Sequence, residues 1–206
     1  MNVVHRRIYL TSQSPRRREL LKQIGVNFDM LLIRNDTRRS ADVDESPENN
    51  EAPDNYVKRV SRIKAVAGWD ALRVRNLPAL PVLGADTTVT LDGKIIGKPR
   101  DREDATVILR QLSGRQHQVL SAVTVAFGER IETRLSATEV TFATLGEEQI
   151  HRYLYTNESH DKAGSYGIQG IAAAFIKRIE GSYSGVMGLP LYETAELLLN
   201  FGYPVP

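Results

Sequence analysis

Short apolar runs separated by amphipathic segments organise the first half of the chain. Runs at residues 8–11, 28–33 and 80–83 have the length and composition of buried strands. Between them, apolar residues recur at three- and four-residue spacing, which predicts helices at about residues 15–24 and 55–69. Alternating strands and helices indicate an α/β fold, in which helices pack on a sheet.

Longer alternating patterns follow in the second half. Residues 119–127 and 131–145 alternate apolar and polar positions on either side of Gly128-Glu129, as two strands with one polar face should. Asp92-Gly93, between two shorter β-rich runs, predicts a type I′ hairpin. The remaining predicted elements are helices at 101–112, 147–155 and 191–201 and a strand at 172–179.

A polar cluster follows the apolar run at residues 80–83. Gly84 predicts a tight turn, because glycine has no Cβ to obstruct one. Asp86 would then lie just past the strand end, where α/β proteins place ligand-binding groups. A carboxylate there is a candidate general base or metal ligand, and the alternative is an aspartate that only caps a turn.

A candidate anion site follows the first strand. Ser14 and Pro15 suit the N-cap and the first position of a helix. Arg16 and Arg17 lie in the first turn of that helix, where positive charge is unfavourable unless a bound anion neutralises it. The pattern fits phosphate binding, and a solvated basic face is the alternative.

Three other residues are candidates that depend on their surroundings. Residues 34–53 are polar and predict a long surface loop, in which Glu45 belongs to an acidic cluster that either binds a divalent metal or is simply solvated. Lys64, on a predicted helix, is ordinary surface charge unless its face points into a cleft. Gln169 lies in the glycine-rich segment 161–170 and offers the donor and acceptor needed to read a base edge, although a turn without a ligand fits equally well.

Composition narrows the functional classes. The 206 residues are 41% hydrophobic, enough for a substantial core, and without cysteine there is no disulfide, thiolate nucleophile or zinc–thiolate site. The 27 basic residues nearly balance the 25 acidic ones, which argues against a nucleic-acid partner but allows a local anion pocket. Because no apolar run approaches the ~20 residues of a membrane span and residues 1–7 lack a signal-peptide pattern, we expect a cytoplasmic protein without a membrane partner.

Six short motifs occur in an order that is specific, although each motif alone is weak. Together they resemble the Maf family of nucleotide pyrophosphatases over nearly the whole chain, which implies a single domain over residues 1–206. The motifs are Ser12-x-Ser14-Pro15-Arg16-Arg17, Gly84-Ala85-Asp86-Thr87, Gly97-Lys98-Pro99, Ser113-Gly114-x-x-His117, Asp161-Lys162-Ala163-Gly164-x-Tyr166-x-Ile168-Gln169-Gly170 and Gly188-Leu189-Pro190.

The resemblance implies an activity and an architecture. The activity is hydrolysis of a nucleoside triphosphate to the monophosphate and pyrophosphate with a divalent metal cation, most plausibly Mg²⁺ or Mn²⁺. The architecture is a mixed, elongated sheet flanked by helices, similar to that of inosine triphosphatases, with two lobes around a central cleft. Members of the family often form homodimers.

The resemblance also implies roles for individual residues. Asp86 matches the catalytic proton acceptor of the family and Glu45 its acidic partner, and both are expected to hold the metal. Lys64 and Lys98 match its phosphate-side lysines. One departure is Ile63, which stands where the family usually has Glu. The expected substrate-binding residues are Ser14, Arg16, Arg17, Thr87 and Gln169.

Three positions favour the dTTP/UTP subfamily. The 7-methyl-GTP subfamily has Ser-Pro-Trp, Ser-Asp-Gln and Ser-Glu-Gly there, whereas this chain has Pro15-Arg16, Asp86-Thr87 and Gln169-Gly170. Activity on 7-methyl-GTP is therefore the disfavoured alternative. A non-catalytic nucleotide-binding regulator, for example of cell division, is a second alternative, and the presence of Asp86 and Lys98 argues against it. A nucleic-acid-binding module is a third, disfavoured by the balanced charge.

Overall fold

The computed structural model describes residues 7–33 and 43–205 of the chain. Residues 1–6, 34–42 and 206 lie outside this description, so the predicted surface loop over residues 34–53 is described only from Val43 onward. Between Val43 and Ala52 the backbone forms neither helix nor strand, in agreement with that prediction.

The described residues form seven strands and six α-helices, together with two short 3₁₀ helices. The strands are β1 (Arg7–Leu10), β2 (Asn27–Met30), β3 (Val82–Leu91), β4 (Lys94–Ile96), β5 (Gln116–Phe127), β6 (Arg130–Phe142) and β7 (Ile176–Glu180). The α-helices are α1 (Pro15–Gln23), α2 (Pro53–Val74), α3 (Arg102–Leu112), α4 (Glu147–Leu154), α5 (Tyr183–Met187) and α6 (Leu191–Asn200), and the 3₁₀ helices are Ala163–Ser165 and Ile171–Phe175.

The seven described strands belong to one mixed sheet. Six of them follow the order β2-β1-β3-β5-β6-β7, and β4 pairs with β3 through the hairpin at Asp92-Gly93. Strand β1 is parallel to both β2 and β3, and the other neighbouring strands are antiparallel. Both hairpin residues have positive φ, 52° and 73°, as a type I′ turn requires. The predicted α/β class with a mixed sheet is confirmed.

The strand that contains Asp86 differs from the prediction. Strand β3 runs without interruption through Gly84 and Asp86, so the glycine does not turn the chain and the aspartate lies inside the strand. The prediction was wrong because the β-branched residues at 87–90 extend the strand beyond the apolar run. Gly84 instead permits α2 to approach β3, since a Cβ there would lie 2.6 Å from Ala65 N and 2.6 Å from Ser61 O.

Three smaller predictions are corrected as well. Residues 172–179, expected to form a strand, divide into the 3₁₀ helix Ile171–Phe175 and β7, because a run of three alanines has low strand preference. His117 lies within β5 rather than before it. Helix α2 begins earlier than expected, so Asp54 lies in its first turn and accepts a hydrogen bond from Lys58 instead of capping the helix.

Two large hydrophobic clusters meet along β3. In the first half of the strand, Leu83 and Ala85 pack with residues of β1, α1 and α6. In its second half, Val89 and Leu91 pack with residues of α3 and α4. The polar residues 86–88 therefore lie between two cores. The arrangement of one domain with two lobes stays a prediction.

An aromatic group within the second cluster supports the glycine-rich segment. The rings of Phe142 and Tyr166 meet edge to face with centroids 4.8 Å apart, and the Tyr166 hydroxyl lies 2.8 Å from Nε2 of His117. Nδ1 of His117 is buried without a hydrogen-bond partner among the described residues. Burial lowers the pKa of His117 from 6.5 to about 4, so the ring is neutral at pH 7.

We expect Gly84→Ala to destabilise the protein more than Gly97→Ala does. The methyl group added at residue 84 would meet helix backbone, which cannot rotate away, and overpacking of this kind costs about 1–3 kcal/mol. A Cβ at Gly97 would have no neighbour within 4 Å. Urea unfolding of both variants measures the difference, and equal losses would contradict the close approach of α2 to β3.

We expect His117→Gln to reduce the dependence of stability on pH. Because the folded-state pKa of about 4 lies below the ordinary 6.5, the unfolded chain binds the proton first as pH falls. The free energy of unfolding of the natural protein should then fall between pH 6.5 and 4 by about 3 kcal/mol from this group. Denaturant titrations at several pH values test this, with His151→Gln, an exposed position, as the control. An unchanged slope in His117→Gln would refute the assignment.

Candidate active site

One cleft of about 900 Å³ is lined by the residues that the sequence predicts as site residues. Its walls come from the start of α1, from α2, from β3, from the loop after β4 and from the glycine-rich segment 161–170. Every predicted site residue lines it, although these residues are spread over more than 150 positions of the chain. They are Ser14, Arg16, Arg17, Glu45, Lys64, Asp86, Thr87, Lys98 and Gln169.

A lysine between two carboxylates forms the floor of the cleft. The Nζ atom of Lys64 donates to Glu45 Oε2 at 2.8 Å and to Asp86 Oδ1 at 2.9 Å. Lys64 and Asp86 are 7% and 8% exposed, so both charges are largely removed from water. The positive charge of Arg17 also acts on both carboxylates.

The local packing explains why this group forms. Gly84 and Asp86 are two positions apart in β3, so they lie on the same face of the sheet. The missing Cβ of Gly84 brings α2 down onto that face, and the ammonium of Lys64 reaches the carboxylate of Asp86. Lys64 lies on the same buried face of α2 as Val57 and Val60, and its side chain lines the cleft.

Asp86 keeps one oxygen for other chemistry. Its Oδ1 accepts the hydrogen bond from Lys64, whereas Oδ2 accepts none from the described residues. The side chain lines the cleft, so a water bound there can reach Oδ2. The arrangement therefore orients the carboxylate without using both of its acceptors.

The segment that carries Glu45 is fastened to α2. The hydroxyl of Tyr56 donates to the Glu45 carbonyl at 3.1 Å, and Arg59 Nη2 donates to the Ser46 carbonyl at 2.9 Å. Arg59 also forms two hydrogen bonds with the carboxylate of Glu51, at 2.7 and 2.8 Å. Burial, with Asp86 and Glu45 adding to it, raises the pKa of Tyr56 to about 12, so its hydroxyl remains a donor at neutral pH. The sequence pattern did not indicate Tyr56 or Arg59, because nothing ties them to the acidic segment until the fold is known.

The two arginines of α1 have different surroundings. Arg17 donates from Nε to the Gly188 carbonyl at 2.7 Å, from Nη1 to Ser12 Oγ at 3.3 Å and from Nη2 to Thr87 Oγ1 at 3.4 Å. Burial lowers its pKa, and the charges of Asp86 and Glu45 oppose that shift. Arg16 lines the cleft and has no hydrogen bond or ion pair with a described residue. Arg17 is thus occupied in joining chain segments, while Arg16 is available to an anion.

The start of α1 remains open to a ligand. Ser14 occupies the N-cap position, as predicted, but its side chain accepts no capping hydrogen bond. The first N–H groups of α1 and the positive end of its dipole therefore lie at the cleft beside Arg16. Together they form the kind of site that binds phosphate oxygens.

Lys98 and Gln169 stand on the opposite wall. Both are exposed, both line the cleft, and neither has a hydrogen bond with another described residue. The loop of Lys98 and the glycine-rich segment are linked, because Gly164 N donates to the Gly97 carbonyl at 3.1 Å. Thr87 is more constrained, since its hydroxyl already contacts Ser121 Oγ at 2.9 Å and the Gly188 carbonyl at 3.3 Å.

The donors at the floor of the cleft fit a hard divalent cation. Glu45 and Asp86 each place a carboxylate oxygen within 3 Å of the same ammonium, and carboxylates are the ligands that Mg²⁺ and Mn²⁺ prefer. Residues 7–33 and 43–205 contain no group of three His, Cys, Asp or Glu that could hold a metal alone. Water and substrate oxygens would supply the remaining ligands, as is usual for Mg²⁺.

The charges that line the cleft also fit the binding of a divalent cation together with a triphosphate. Its lining contains five basic and four acidic side chains, so the protein offsets little of the charge of a triphosphate by itself. Ile63, which replaces the usual glutamate, is half-buried on α2 and is not part of this lining. The basic residues are Arg16, Arg17, Lys64, Lys98 and Lys162, and the acidic ones are Glu45, Asp86, Glu158 and Asp161.

Comparison with known proteins identifies the family. The family model described as Maf-like protein matches residues 7–201, and the chain therefore belongs to the Maf family. This confirms the family resemblance in the sequence motifs. Among solved structures, the Staphylococcus aureus Ham1 protein aligns with 67% of this chain and 72% of its own at 14% identity and a TM-score of 0.47, too weak a likeness to support a conclusion.

Several curated relatives match along all or nearly all of their length. A protein of Aromatoleum aromaticum is 55% identical over 206 residues, which cover all of both chains. A protein of Nitrosomonas europaea is 53% identical over 96% of each chain, and one of Burkholderia pseudomallei is 53% identical over 93% of this chain and 91% of its own. All three are named dTTP/UTP pyrophosphatase. None of the helices within the described residues has the length and apolar composition to cross a membrane.

Proposed function

We propose that this protein hydrolyses dTTP and UTP to the nucleoside monophosphate and pyrophosphate. The observation that carries the proposal is the group of Lys64, Asp86 and Glu45, the first two of them buried, in a cleft that also presents Arg16 and the N-terminus of α1. Relatives that are about half identical along their whole length are named for this activity. The pyrophosphatase activity is a hydrolysis of an acid anhydride, for which a carboxylate base beside cationic groups is suitable.

Asp86 acts as the general base in this proposal. Its Oδ2 accepts a proton from a water in the cleft, while Oδ1 is held by Lys64. The water then attacks the α-phosphorus, and the bond to the bridging oxygen of the leaving pyrophosphate breaks. The ammonium of Lys64 fixes the carboxylate in place and limits the negative charge that the site presents to the substrate.

The phosphate chain lies along the cationic side of the cleft. Arg16, the first N–H groups of α1 and the hydroxyl of Ser14 hold the ground-state triphosphate. Lys98, on the other wall, offsets negative charge as it builds on the leaving pyrophosphate. Arg17 contributes by joining α1 to Thr87 and Gly188, which keeps the two sides of the phosphate site at a fixed separation.

A divalent cation completes the site. Glu45 and Asp86 would hold it together with substrate oxygens, and when bound it supplies charge neutralisation for the triphosphate and acidifies the attacking water. Location in the cytoplasm, a homodimeric state and the absence of a nucleic-acid partner stay predictions from the sequence.

Gln169 reads the base. A pyrimidine 2,4-dione presents a carbonyl, an N–H and a second carbonyl on one edge, and a primary amide can donate to one carbonyl and accept from the N–H. Thr87 contributes to this wall through its contacts with Ser121 and Gly188. Guanine presents a different pattern of donors and acceptors, so it would leave polar groups of the site unpaired.

We expect Asp86→Asn to lower kcat by roughly 10²–10⁴-fold, because the amide cannot take the proton from water. Nucleotide binding, measured by calorimetry in the presence of Mg²⁺, should remain. The matched control is Asp92→Asn in the hairpin of the same strand, which removes only an exposed pair with Arg115 and should leave kcat unchanged. Near-normal turnover in Asp86→Asn would exclude it as the base.

We expect the natural enzyme to prefer UTP and dTTP over GTP in kcat/KM by at least about 100-fold, since polar groups that a bound base covers and leaves unpaired carry large penalties. Gln169→Glu should weaken activity on UTP, because the carboxylate loses the amide donor and adds charge. Gln23→Glu adds the same charge on an exposed part of α1 and is the control. Pyrophosphate release from a nucleotide panel that includes 7-methyl-GTP measures both effects. Equal values for UTP, dTTP and GTP would reject the pyrimidine assignment, and an absence of turnover with every nucleotide would favour a binding protein.

A further inference from the structure

A glutamate behind the glycine-rich segment has no part in the mechanism described above. Glu158 lies in the turn after α4 and lines the cleft. Its Oε2 accepts a hydrogen bond from the backbone N–H of Ile171 at 2.8 Å, and Oε1 accepts a longer one from the N–H of Ala172 at 3.4 Å. The Tyr153 hydroxyl donates to Oε1 at 3.2 Å. The carboxylate thus holds the first turn of the 3₁₀ helix that follows Gln169-Gly170.

The contact with Gly170 is closer still. A Cβ on Gly170 would lie 2.2 Å from Oε2, 2.3 Å from the carboxyl carbon and 2.4 Å from Oε1 of Glu158. The carboxylate therefore occupies the space that any other residue at position 170 would fill with its side chain. Since Gly170 is bonded to Gln169, the position of this carboxylate determines the position of the backbone that carries the Gln169 side chain.

The surrounding contacts fix Glu158 in turn. The Tyr153 hydroxyl shares its one proton between Glu158 Oε1 and the Ser165 carbonyl, each at 3.2 Å. The ammonium of Lys162 donates to the Glu158 carbonyl at 2.5 Å. Lys162 is further held by Asp161 at 2.6 Å. The two ends of segment 161–170 are thus joined to one turn, and the glutamate closes that turn onto the backbone after Gln169.

We infer that Glu158 is a positioning residue for base recognition, which holds Gln169 in the place from which its amide meets the pyrimidine edge. This inference rests on the proposed function, because it assigns a support to the residue that reads the base. The carboxylate of Glu158 forms its hydrogen bonds with Tyr153, Ile171 and Ala172, whereas Lys64 and Asp86 bond to each other. The loss of Glu158 should therefore act on the choice and binding of the nucleotide and not on the hydrolytic step.

The primary test compares Glu158→Ala and Glu158→Gln in kcat and KM for UTP and GTP. Glu158→Ala should raise the KM for UTP by about tenfold, leave kcat within about threefold, and lower the UTP-to-GTP ratio of kcat/KM by about tenfold. Glu158→Gln should show a smaller loss, since its amide oxygen can still accept from Ile171 N while its NH₂ group cannot accept from Ala172 N. Glu148→Gln, at an exposed position of α4, is the matched control and should change neither value.

A double-mutant cycle with Gln169→Ala separates positioning from a general structural role. Once Gln169 is absent, Glu158→Ala should change the UTP-to-GTP ratio by less than about twofold, because the residue that it positions is gone. If Glu158→Ala does not fold, Gly170→Ala provides a second route, since its methyl group must displace the same carboxylate. It should lower the ratio in the same direction.

The outcomes distinguish this inference from the proposed function. A natural enzyme that does not discriminate UTP from GTP would reject both. A natural enzyme that prefers UTP, with an unchanged ratio in Glu158→Ala or in Gly170→Ala, would reject the positioning role alone. Equal losses of kcat on UTP and GTP, or an effect of Glu158→Ala that persists in full without Gln169, would also reject it.

Discussion

The ammonium of Lys64 between the carboxylates of Glu45 and Asp86 is the interaction on which the cleft depends. Lys64 and Asp86 are largely removed from water, whereas the side chain of Glu45 is 35% exposed. The two buried charges are stable only as a compensated pair, and removing one partner of a buried pair typically costs about 3–5 kcal/mol. In the function proposed above, the two carboxylates also hold a divalent metal that arrives with the nucleotide. On that proposal, the same arrangement stabilises the folded protein and prepares it for a metal–nucleotide complex.

This interaction requires a close approach of a helix to a strand. The distance between α2 and β3 is set at Gly84, where a side chain would collide with the helix backbone. The helix also contacts β5, through the hydrogen bond of 2.8 Å between Ser61 and Thr124. Position along the strand matters as well, because Asp86 falls between the two hydrophobic clusters that meet on β3. A polar group placed further along the strand in either direction would lie inside a core.

Elements and candidate residues could be predicted from the sequence to different degrees. Periodicity placed the long strands, five of the six described α-helices and the Asp92-Gly93 hairpin to within about five residues, because each depends on local patterns, but it did not indicate the short helix α5. The unbroken course of β3 was missed, since Gly84 is locally a turn signal and its actual role is a contact with a helix that lies about twenty positions away. Lys64 was left open between surface and cleft for the same reason, as the direction of a helix face depends on what it packs against.

The residues that support the candidate site, Tyr56 and Glu158, could not be predicted from the sequence, for a physical reason. Tyr56 acts on Glu45 through a main-chain carbonyl, and Glu158 acts on Gln169 through main-chain N–H groups. Because main-chain groups are the same in nearly every residue type, neither contact requires a particular partner residue that a sequence pattern could reveal. The different surroundings of Arg16 and Arg17 were equally hidden, because adjacent helix residues point in directions about 100° apart and only one of them meets Gly188. The motifs identified which residues belong together, and tertiary contacts determine what each one is free to do.

The two walls of the cleft are built differently, and this difference has consequences for function. Asp86 and Lys64 lie on a strand and a helix, where backbone hydrogen bonds fix their positions. Gln169 lies in a turn between two short 3₁₀ helices, so its position has to come from tertiary contacts: Glu158 on one side and the buried pair of His117 and Tyr166 on the other. Sites on regular elements hold their geometry more exactly than sites on loops, and a loop approaches that precision only when it is supported. In the proposed function, hydrolysis and base selection are therefore carried by separately supported parts of the fold. Substitutions in the supports of the loop would then alter which nucleotide is bound without disturbing the carboxylates to which the reaction is assigned.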